Sequence, residues 1–113
     1  QIAKEYADDA DTFSKKIYDV IGSGVGIIES VPAAISIAYY TQDPNECCLM
    51  CANLGGDTDT IGAMATAICG AFTGYSKINP EYTELLRVQN SETDFDEYIN
   101  ILKKGRELAG CGR

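Results

Sequence analysis

Apolar residues recur every three or four positions along this chain, and that spacing constrains its fold more than any other feature. Over residues 2–21 the spacing is kept by Ile2, Tyr6, Ala10, Phe13, Ile17 and Val20. Such a period places side chains on one face of an α-helix. No segment of the sequence has the sustained alternation of β-branched residues that a half-buried strand needs. We therefore predict an all-α fold.

Glycine, proline and capping residues predict where the helices begin and end. The clearest start combines Asp43 as N-cap, Pro44 at the first helical position and Glu46 as the capping-box acid. Glycines at 22 and 55 stand where helices should end. We expect helices over 2–21, from the cap Ser30 onward, over 44–54, 60–74 and 80–88, and from the cap Thr93 onward.

Three helical faces carry specific expectations. The inward face of the second helix should consist of Val31, Ile35, Ala38 and Tyr39. Glycine inside a helix costs about 1 kcal/mol relative to alanine. Where small residues form a stripe along a helix, we expect close packing of another helix against the stripe to offset this cost. That stripe is Gly62, Thr66, Gly70 and Gly74. The shared face of the last helix should be Phe95, Tyr98, Ile99 and Leu102.

Length and charge limit the function classes. A chain of 113 residues with 45% hydrophobic content has the size and composition of one compact domain, or of part of one, with a buried core. Nine Lys and Arg against seventeen Asp and Glu give a net charge of −8. This charge repels nucleic-acid backbones and anionic lipid surfaces. We therefore expect neither nucleic-acid nor membrane-surface binding.

The chain carries no obvious targeting or membrane segment. Its longest weakly charged stretch, 31–41, is far shorter than the roughly 20 apolar residues that span a bilayer. The opening QIAKEYADD has neither an initiator Met nor a basic region followed by an apolar one. We therefore expect no signal peptide, and we interpret the chain as a fragment of a longer protein.

The number and spacing of the five cysteines indicate reduced thiols. They form an odd set in a sequence without histidine, and CCLMC lacks the second CxxC pair of a structural zinc site. Cys47, Cys48 and Cys51 could line one buried helical stripe as small apolar residues. We therefore expect a cytoplasmic protein.

The stretch NLGGDTDTIG places two acids and a hydroxyl at the start of a helix. Asp57 and Asp59 can converge if at least one of them precedes the first full turn, and Thr60 faces the same way as Asp57. One aspartate would serve as an N-cap. Two carboxylates held beside a hydroxyl repel each other unless a cation lies between them. Carboxylate and hydroxyl oxygens suit magnesium, manganese or calcium. Spacing alone leaves both interpretations open.

A calcium-binding EF-hand must also be considered, because DTDTIG matches three positions of its loop. The match fails at two ligand positions, where the sequence has Ile61 and Ile68. A calcium-binding helical module is therefore a weak alternative.

Two longer segments resemble one known family. Residues 52–75, ANLGGDTDTIGAMATAICGAFTGY, resemble the C-terminal signature of the ADP-ribosylglycohydrolase family, the dinitrogenase-reductase-activating type of hydrolase. Residues 22–35, GSGVGIIESVPAAI, resemble the family's segment at the corresponding place. The resemblance implies a compact multi-helix enzyme that binds two magnesium or manganese ions. Such enzymes hydrolyse the bond between ADP-ribose and a protein side chain or small acceptor.

The resemblance assigns roles to six residues. It implies that Asp57, Asp59 and Thr60 are metal ligands and that the turn Ser23, Gly24 and Val25 lines the ADP-ribose site. Glycine suits such a turn independently, because backbone amides approach a phosphate or ribose only where no side chain intervenes. A plain connector between helices is the alternative for this turn.

The chain departs from the family at its start. Members are much longer, and an acidic motif near their N-terminus supplies further metal ligands and an acid often assigned to catalysis. Residues 6–11, YADDAD, contain an acidic pair but lie where the family has no such motif. We therefore expect the general acid or base to lie in the missing N-terminal part of the same protein, and the fragment alone to be inactive. A non-catalytic, ADP-ribose-binding or structural member of the fold is the alternative.

Overall fold

The computed structural model describes residues 9–110, and within that range the chain is helical without strands. The described helices are α1 (Ala10–Lys16), α2 (Ile27–Thr41), α3 (Pro44–Ala52), α4 (Thr58–Thr73), α5 (Pro80–Gln89) and α6 (Phe95–Leu108). A wider π-type turn, Ile17–Ile21, extends α1 up to Gly22, and a short 3-10 turn, Tyr75–Lys77, follows α4. The predicted all-α fold is confirmed. Part of the first predicted helix, residues 2–8, lies outside the described residues.

The chain divides into two compact units, Gln1–Asn79 and Pro80–Arg113. The first unit contains α1 to α4 and the second contains α5 and α6. That residues 1–113 are the C-terminal part of a single helical domain stays a prediction.

In the first unit, α4 packs against both α2 and α3. The side chains between these helices are mostly small, so the backbones approach closely. A Cβ added to Gly62 would lie 3.4 Å from the Cβ of Cys51. Phe13 closes one side of this core, with its ring stacked 4.0 Å from that of Tyr40. The core residues are Phe13, Ile17, Ala33, Ala34, Ile37, Ala38, Cys47, Cys51, Leu54, Ile61, Ala65 and Cys69.

The start of α2 differs from the prediction. The helix begins at Ile27 with Gly26 as its N-cap residue, so Ser30 is a buried residue inside the helix and not its cap. The inward face is shifted accordingly: Ala38 is buried as predicted, whereas Ile35 and Tyr39 are more than half exposed. Small alanine side chains allow the close contact with α4, and the larger apolar residues remain outside it.

An apolar groove is left along these exposed residues. It lies between α2 and α4, has a volume of about 360 Å³, and is lined by residues that include Ile35, Tyr39, Ile68 and Phe72. We call it the α2–α4 groove.

The predicted cap of α3 is confirmed. Oδ1 of Asp43 accepts hydrogen bonds from the backbone N–H of Asn45 at 2.7 Å and of Glu46 at 3.4 Å, and Pro44 occupies the first turn. The helix ends at Ala52, two residues before the predicted end.

The small-residue stripe of α4 meets a neighbour at only one glycine within the described range. Gly62 contacts Cys51, whereas a Cβ added to Gly70 or Gly74 would meet nothing within 4 Å. The buried stripe of the helix is instead Ile61, Ala65 and Cys69. The predicted stripe is therefore wrong as a packing seam, except at Gly62.

Four of the cysteines are described, and all four are free thiols. Cys47, Cys51 and Cys69 are buried, but Cys48 is exposed, so its predicted place on the buried stripe is wrong. A hydrogen bond with Cys51, together with burial, raises the pKa of Cys47, and the same hydrogen bond lowers the pKa of Cys51. Burial raises the pKa of Cys69. Cys111 lies outside the described residues.

The second unit consists of α5 and α6, whose described residues include none that is fully buried. Arg87 of α5 forms a 3.1 Å ion pair with Asp96 and lies 5.9 Å from the centre of the Phe95 ring. The cap of α6 is Asp94, which accepts from the N–H of Glu97, so the predicted cap is wrong by one residue.

The α6 face carries the four apolar residues predicted to share it. The rings of Phe95 and Tyr98 meet edge to face with centroids 6.5 Å apart, while Tyr98, Ile99 and Leu102 remain exposed. None of the helices described between residues 9 and 110 is long and apolar enough to cross a bilayer.

The raised pKa of Cys69 predicts how the stability of the first unit depends on pH. Its raised pKa means that the folded chain keeps a proton that the unfolded chain loses above pH about 8.5, the ordinary value for cysteine. The free energy of unfolding should therefore fall as pH rises above that value, by at most about 1.4 kcal/mol per pH unit for this one proton. In Cys69→Ala the decline should be shallower.

Urea unfolding followed by circular dichroism between pH 7 and pH 10 measures this dependence. Cys48→Ala removes an exposed thiol and serves as the control. An equal decline in Cys69→Ala and in the wild type would contradict the assignment.

Candidate metal and substrate site

A tight connector between α3 and α4 positions the predicted metal ligands. Leu54 anchors it in the core, and the chain then reverses through Gly55 and Gly56, whose φ angles are +90° and +76°. Such angles favour glycine because a Cβ would be strained there. Asp57 follows as the residue that precedes α4.

The turn between α1 and α2 lies directly against this connector. The backbone N–H of Asp57 donates to the carbonyl of Ser23 at 2.6 Å, and the Ser23 hydroxyl donates to the carbonyl of Gly55 at 2.8 Å. A Cβ added to Gly56 would overlap the Ser23 carbonyl oxygen and lie 2.5 Å from the Ser23 Oγ. The two segments to which the resemblance assigns site residues are thus in direct contact, although more than thirty residues separate them.

The side chains of Asp57, Asp59 and Thr60 come together at the start of α4. Thr60 Oγ1 donates to Asp57 Oδ1 at 3.0 Å. A hydrogen bond with the Asp57 carboxyl, assisted by the backbone N–H groups of Thr60 and Asp59, holds the pKa of Asp59 below its usual value. Asp57 is half-buried, and the other two residues are exposed. The three residues therefore form one polar, solvent-accessible cluster.

Asp57 stands at the N-cap position but makes no capping bond. Its side chain accepts no hydrogen bond from the backbone of α4. The aspartates that precede α1, α3 and α6 do accept such bonds, from Thr12, Asn45 and Glu97 respectively. The simple capping role, one of the two interpretations left open by spacing, is therefore not realised by Asp57.

The donor set fits magnesium or manganese in kind but not in number. Carboxylate and hydroxyl oxygens are the ligands that these hard cations prefer, and two carboxylates in contact gain most from a cation. Between residues 9 and 110, however, no three His, Cys, Asp or Glu side chains are arranged to hold a metal. Asp57, Asp59 and Thr60 can therefore supply only part of a coordination sphere.

The predicted substrate turn has an inner and an outer part. Ser23 is 3% exposed, and both its carbonyl and its hydroxyl are engaged with the connector, whereas Val25 is 85% exposed. Gly24 lies between them and is half-buried. Ser23 thus braces the site, and contact of Ser23, Gly24 or Val25 with a substrate stays a prediction.

One residue at the site was not anticipated from the sequence. The carboxylate of Glu29, in the first turn of α2, lies against Gly22 and Gly24. The available signal was positional: Glu29 stands three residues after the glycine that precedes α2, which is where a capping-box acid stands.

The other acidic motifs do not join this cluster. Asp9 of the YADDAD stretch caps α1 by accepting from Thr12, whose bonds lower the pKa of Asp9. Asp9 and Asp11 are exposed, and residues 6–8 lie outside the described range. Because DTDTIG lies almost wholly within α4, it does not adopt the loop that a calcium-binding EF-hand requires.

The contact between Gly56 and Ser23 generates a matched pair of glycine substitutions. Gly56→Ala should destabilise the chain by about 2 kcal/mol or more, because it combines a positive φ with a clash against backbone. Gly70→Ala, where a Cβ meets nothing within 4 Å, should stabilise it by about 0.5–1 kcal/mol. Urea unfolding of both variants measures the difference. Equal effects of the two substitutions would exclude the close approach at Gly56.

Comparison with known proteins identifies the family. The model of the ADP-ribosylglycohydrolase family matches residues 1–110. The chain is 50% identical over 102 residues to the uncharacterized protein YegU of Escherichia coli (strain K12), covering 89% of this chain and 30% of that protein. No solved structure matches at comparable significance.

Two relatives carry names that state an activity. ADP-ribosylhydrolase ARH3 of Homo sapiens is 32% identical over 101 residues, which cover 80% of this chain and 28% of that protein. ADP-ribosylarginine hydrolase Tri1 of Serratia proteamaculans (strain 568) is 30% identical over 90 residues, which cover 80% of this chain and 25% of that protein. The chain thus spans less than a third of the length of these relatives. Since the family model covers nearly every residue, the chain belongs to the ADP-ribosylglycohydrolase family.

Proposed function

We propose that this chain is the C-terminal part of a metal-dependent hydrolase that cleaves the glycosidic bond between ADP-ribose and a protein side chain or small acceptor. The observation that carries the proposal is the side chain of Asp57. It occupies an N-cap position without capping, and it engages Thr60 and Asp59 instead. A carboxylate that forgoes the capping bond to join a second carboxylate is arranged as a ligand would be.

Magnesium or manganese, two ions in the complete site, is the proposed cofactor, held in part by Asp57, Asp59 and Thr60. When bound, such cations orient substrate oxygens and favour attack by water at the anomeric carbon. Within this chain, the Thr60 hydroxyl orients the Asp57 carboxylate through its 3.0 Å hydrogen bond. The Ser23 carbonyl accepts from the Asp57 N–H and so holds the Asp57 backbone. One contact at the backbone and one at the side chain therefore fix the direction of the carboxylate.

The proton transfers of the reaction require another carboxylate. Cleavage of a glycosidic bond passes through an oxocarbenium-like transition state, which nearby negative charges stabilise and a general acid or base assists. Asp57 and Asp59 are committed to the cation in this proposal. The general acid or base therefore belongs to the remainder of the longer protein.

The proposal defines the acceptor only by class. The relatives named ADP-ribosylhydrolase and ADP-ribosylarginine hydrolase support an ADP-ribosylated protein or a small ADP-ribose derivative as substrate. The free thiols Cys47, Cys48, Cys51 and Cys69 support a cytoplasmic location.

Substitution of Asp57 tests the ligand role. In the full-length hydrolase, Asp57→Asn should reduce release of ADP-ribose about 100-fold or more, since even residues that only orient metal ligands are worth 10–100-fold. The metal-free protein should keep its stability, because no capping bond is lost. The comparison is made with Asp43→Ala, which removes a true cap and should cost about 0.5–2 kcal/mol.

Turnover is measured with ADP-ribosylated protein and magnesium or manganese, and stability by thermal unfolding in a chelator. Full turnover by Asp57→Asn would exclude the ligand role. A loss of stability equal to that of Asp43→Ala would return Asp57 to the capping interpretation.

The isolated chain should be helical but inactive. Magnesium needs near-octahedral coordination and dehydrates reluctantly, so two carboxylates and a hydroxyl should bind it weakly. The apolar α2–α4 groove offers a surface on which the missing N-terminal part of the protein can dock. Adding that part in trans should restore release of ADP-ribose, whereas robust turnover by the 113 residues alone would show that they contain a complete site.

A further inference from the structure

Glu29 fills the turn that braces the candidate site. A Cβ added to Gly22 would lie 2.7 Å from Glu29 Cδ, and one added to Gly24 would lie 2.8 Å from Glu29 Oε2. One carboxylate therefore lies against two glycines on either side of Ser23. The opposite side of the turn is held by the connector, through the bonds from Asp57 and to Gly55.

The identity of Gly24 depends on this carboxylate. Gly22 has a φ of +94° and favours glycine for backbone reasons alone. Gly24 has no such constraint, because its φ does not lie in the left-handed region. The contact with Glu29 Oε2 is the feature that disfavours a side chain at Gly24. At Gly26, by comparison, an added Cβ would come no closer than 3.9 Å to the same oxygen.

The position of Glu29 in α2 favours a carboxylate there. Glu29 lies in the first turn of the helix, where the positive end of the helix dipole stabilises a negative charge. A phosphate on the same side of the turn would meet this charge and be repelled. On the side where Glu29 lies, the turn therefore already holds an acid of the chain itself.

We infer that Glu29 is a positioning residue for the proposed hydrolase: its carboxylate supports the Gly22–Gly24 backbone and so holds the Ser23 carbonyl on the N–H of Asp57. The inference rests on the proposed function for its catalytic consequence, but the positioning itself is a property of this chain. The Glu29 carboxylate contacts the glycine turn, and the turn carries the Ser23 carbonyl, which accepts a hydrogen bond from the Asp57 amide.

Hydrogen exchange of the Asp57 amide, followed by NMR on the 113-residue chain, tests the positioning directly. In Glu29→Ala the Asp57 amide should exchange about tenfold faster than in the wild type, because its acceptor is no longer held, while the core amide of Ala65 keeps its rate. Glu29→Gln has nearly the same shape and should retain the slow exchange of Asp57.

The glycines supply matched variants. Gly24→Ala pushes the Glu29 carboxylate out of the turn and should also speed exchange at Asp57, whereas Gly26→Ala should leave it unchanged. In the double variant Gly24→Ala/Glu29→Ala the new methyl group occupies vacated space, so exchange should be slower than in Glu29→Ala.

Unchanged exchange at Asp57 in Glu29→Ala, or equal acceleration at Asp57 and Ala65, would overturn the inference. If Glu29→Ala does not fold, Gly24→Ala decides by the same two criteria. In the full-length hydrolase, Glu29→Ala should lower kcat and Glu29→Gln should restore it. Amide exchange does not depend on enzyme activity. The exchange experiment therefore still tests the positioning by Glu29 if the proposed function is wrong.

Discussion

The hydrogen bond from the Asp57 amide to the Ser23 carbonyl is the contact on which the arrangement of the first unit depends. It joins the turn after α1 to the first residue before α4, and it forms only because Gly56 has no side chain. With the start of α4 held there, Ile61, Ala65 and Cys69 face the small residues of α2 and α3. The Asp57, Asp59 and Thr60 side chains then point away from that core. This one hydrogen bond thus positions both the buried face of α4 and the side chains of the candidate site.

Asp57 lacks a stabilising contact that the other described aspartate caps make, and the proposed ligand role would account for this. Of the four described aspartates that precede a helix, three use their side chains to satisfy backbone N–H groups, and each such cap is worth about 0.5–2 kcal/mol. Asp57 forgoes that contribution although the sequence around it would permit a cap. Departures of this kind from the locally most stable choice are expected where a side chain is held for chemistry.

Much of the fold follows from local patterns in the sequence, whereas the site depends on contacts between distant residues. The spacing of apolar residues predicted an all-α chain, and Asp43 with Pro44 predicted the start of α3, because both signals are local. Ser30 failed as a cap because serine is also compatible with a helix interior, and the helix begins three residues earlier, at Ile27. The proximity of Ser23 to Asp57 came from family resemblance, since no local pattern links residues so far apart. Glu29 was missed because its contacts with Gly22 and Gly24 form only when the turn is folded, and the sequence offered only its position three residues after Gly26.

In the proposed function the site is divided between this chain and the rest of a longer protein, and this proposal has a consequence for the order of assembly. The chain positions its two carboxylates through its own contacts, so this half of the site is organised before any cation binds. A cation held by so few protein oxygens keeps most of its hydration, and its binding therefore contributes little to the stability of the chain alone. If the remaining proposed ligands were brought against the α4 N-terminus, the same carboxylates would gain a cation that neutralises their repulsion. Under this proposal, metal binding would stabilise the assembled protein selectively, and loading of the metal would follow completion of the fold.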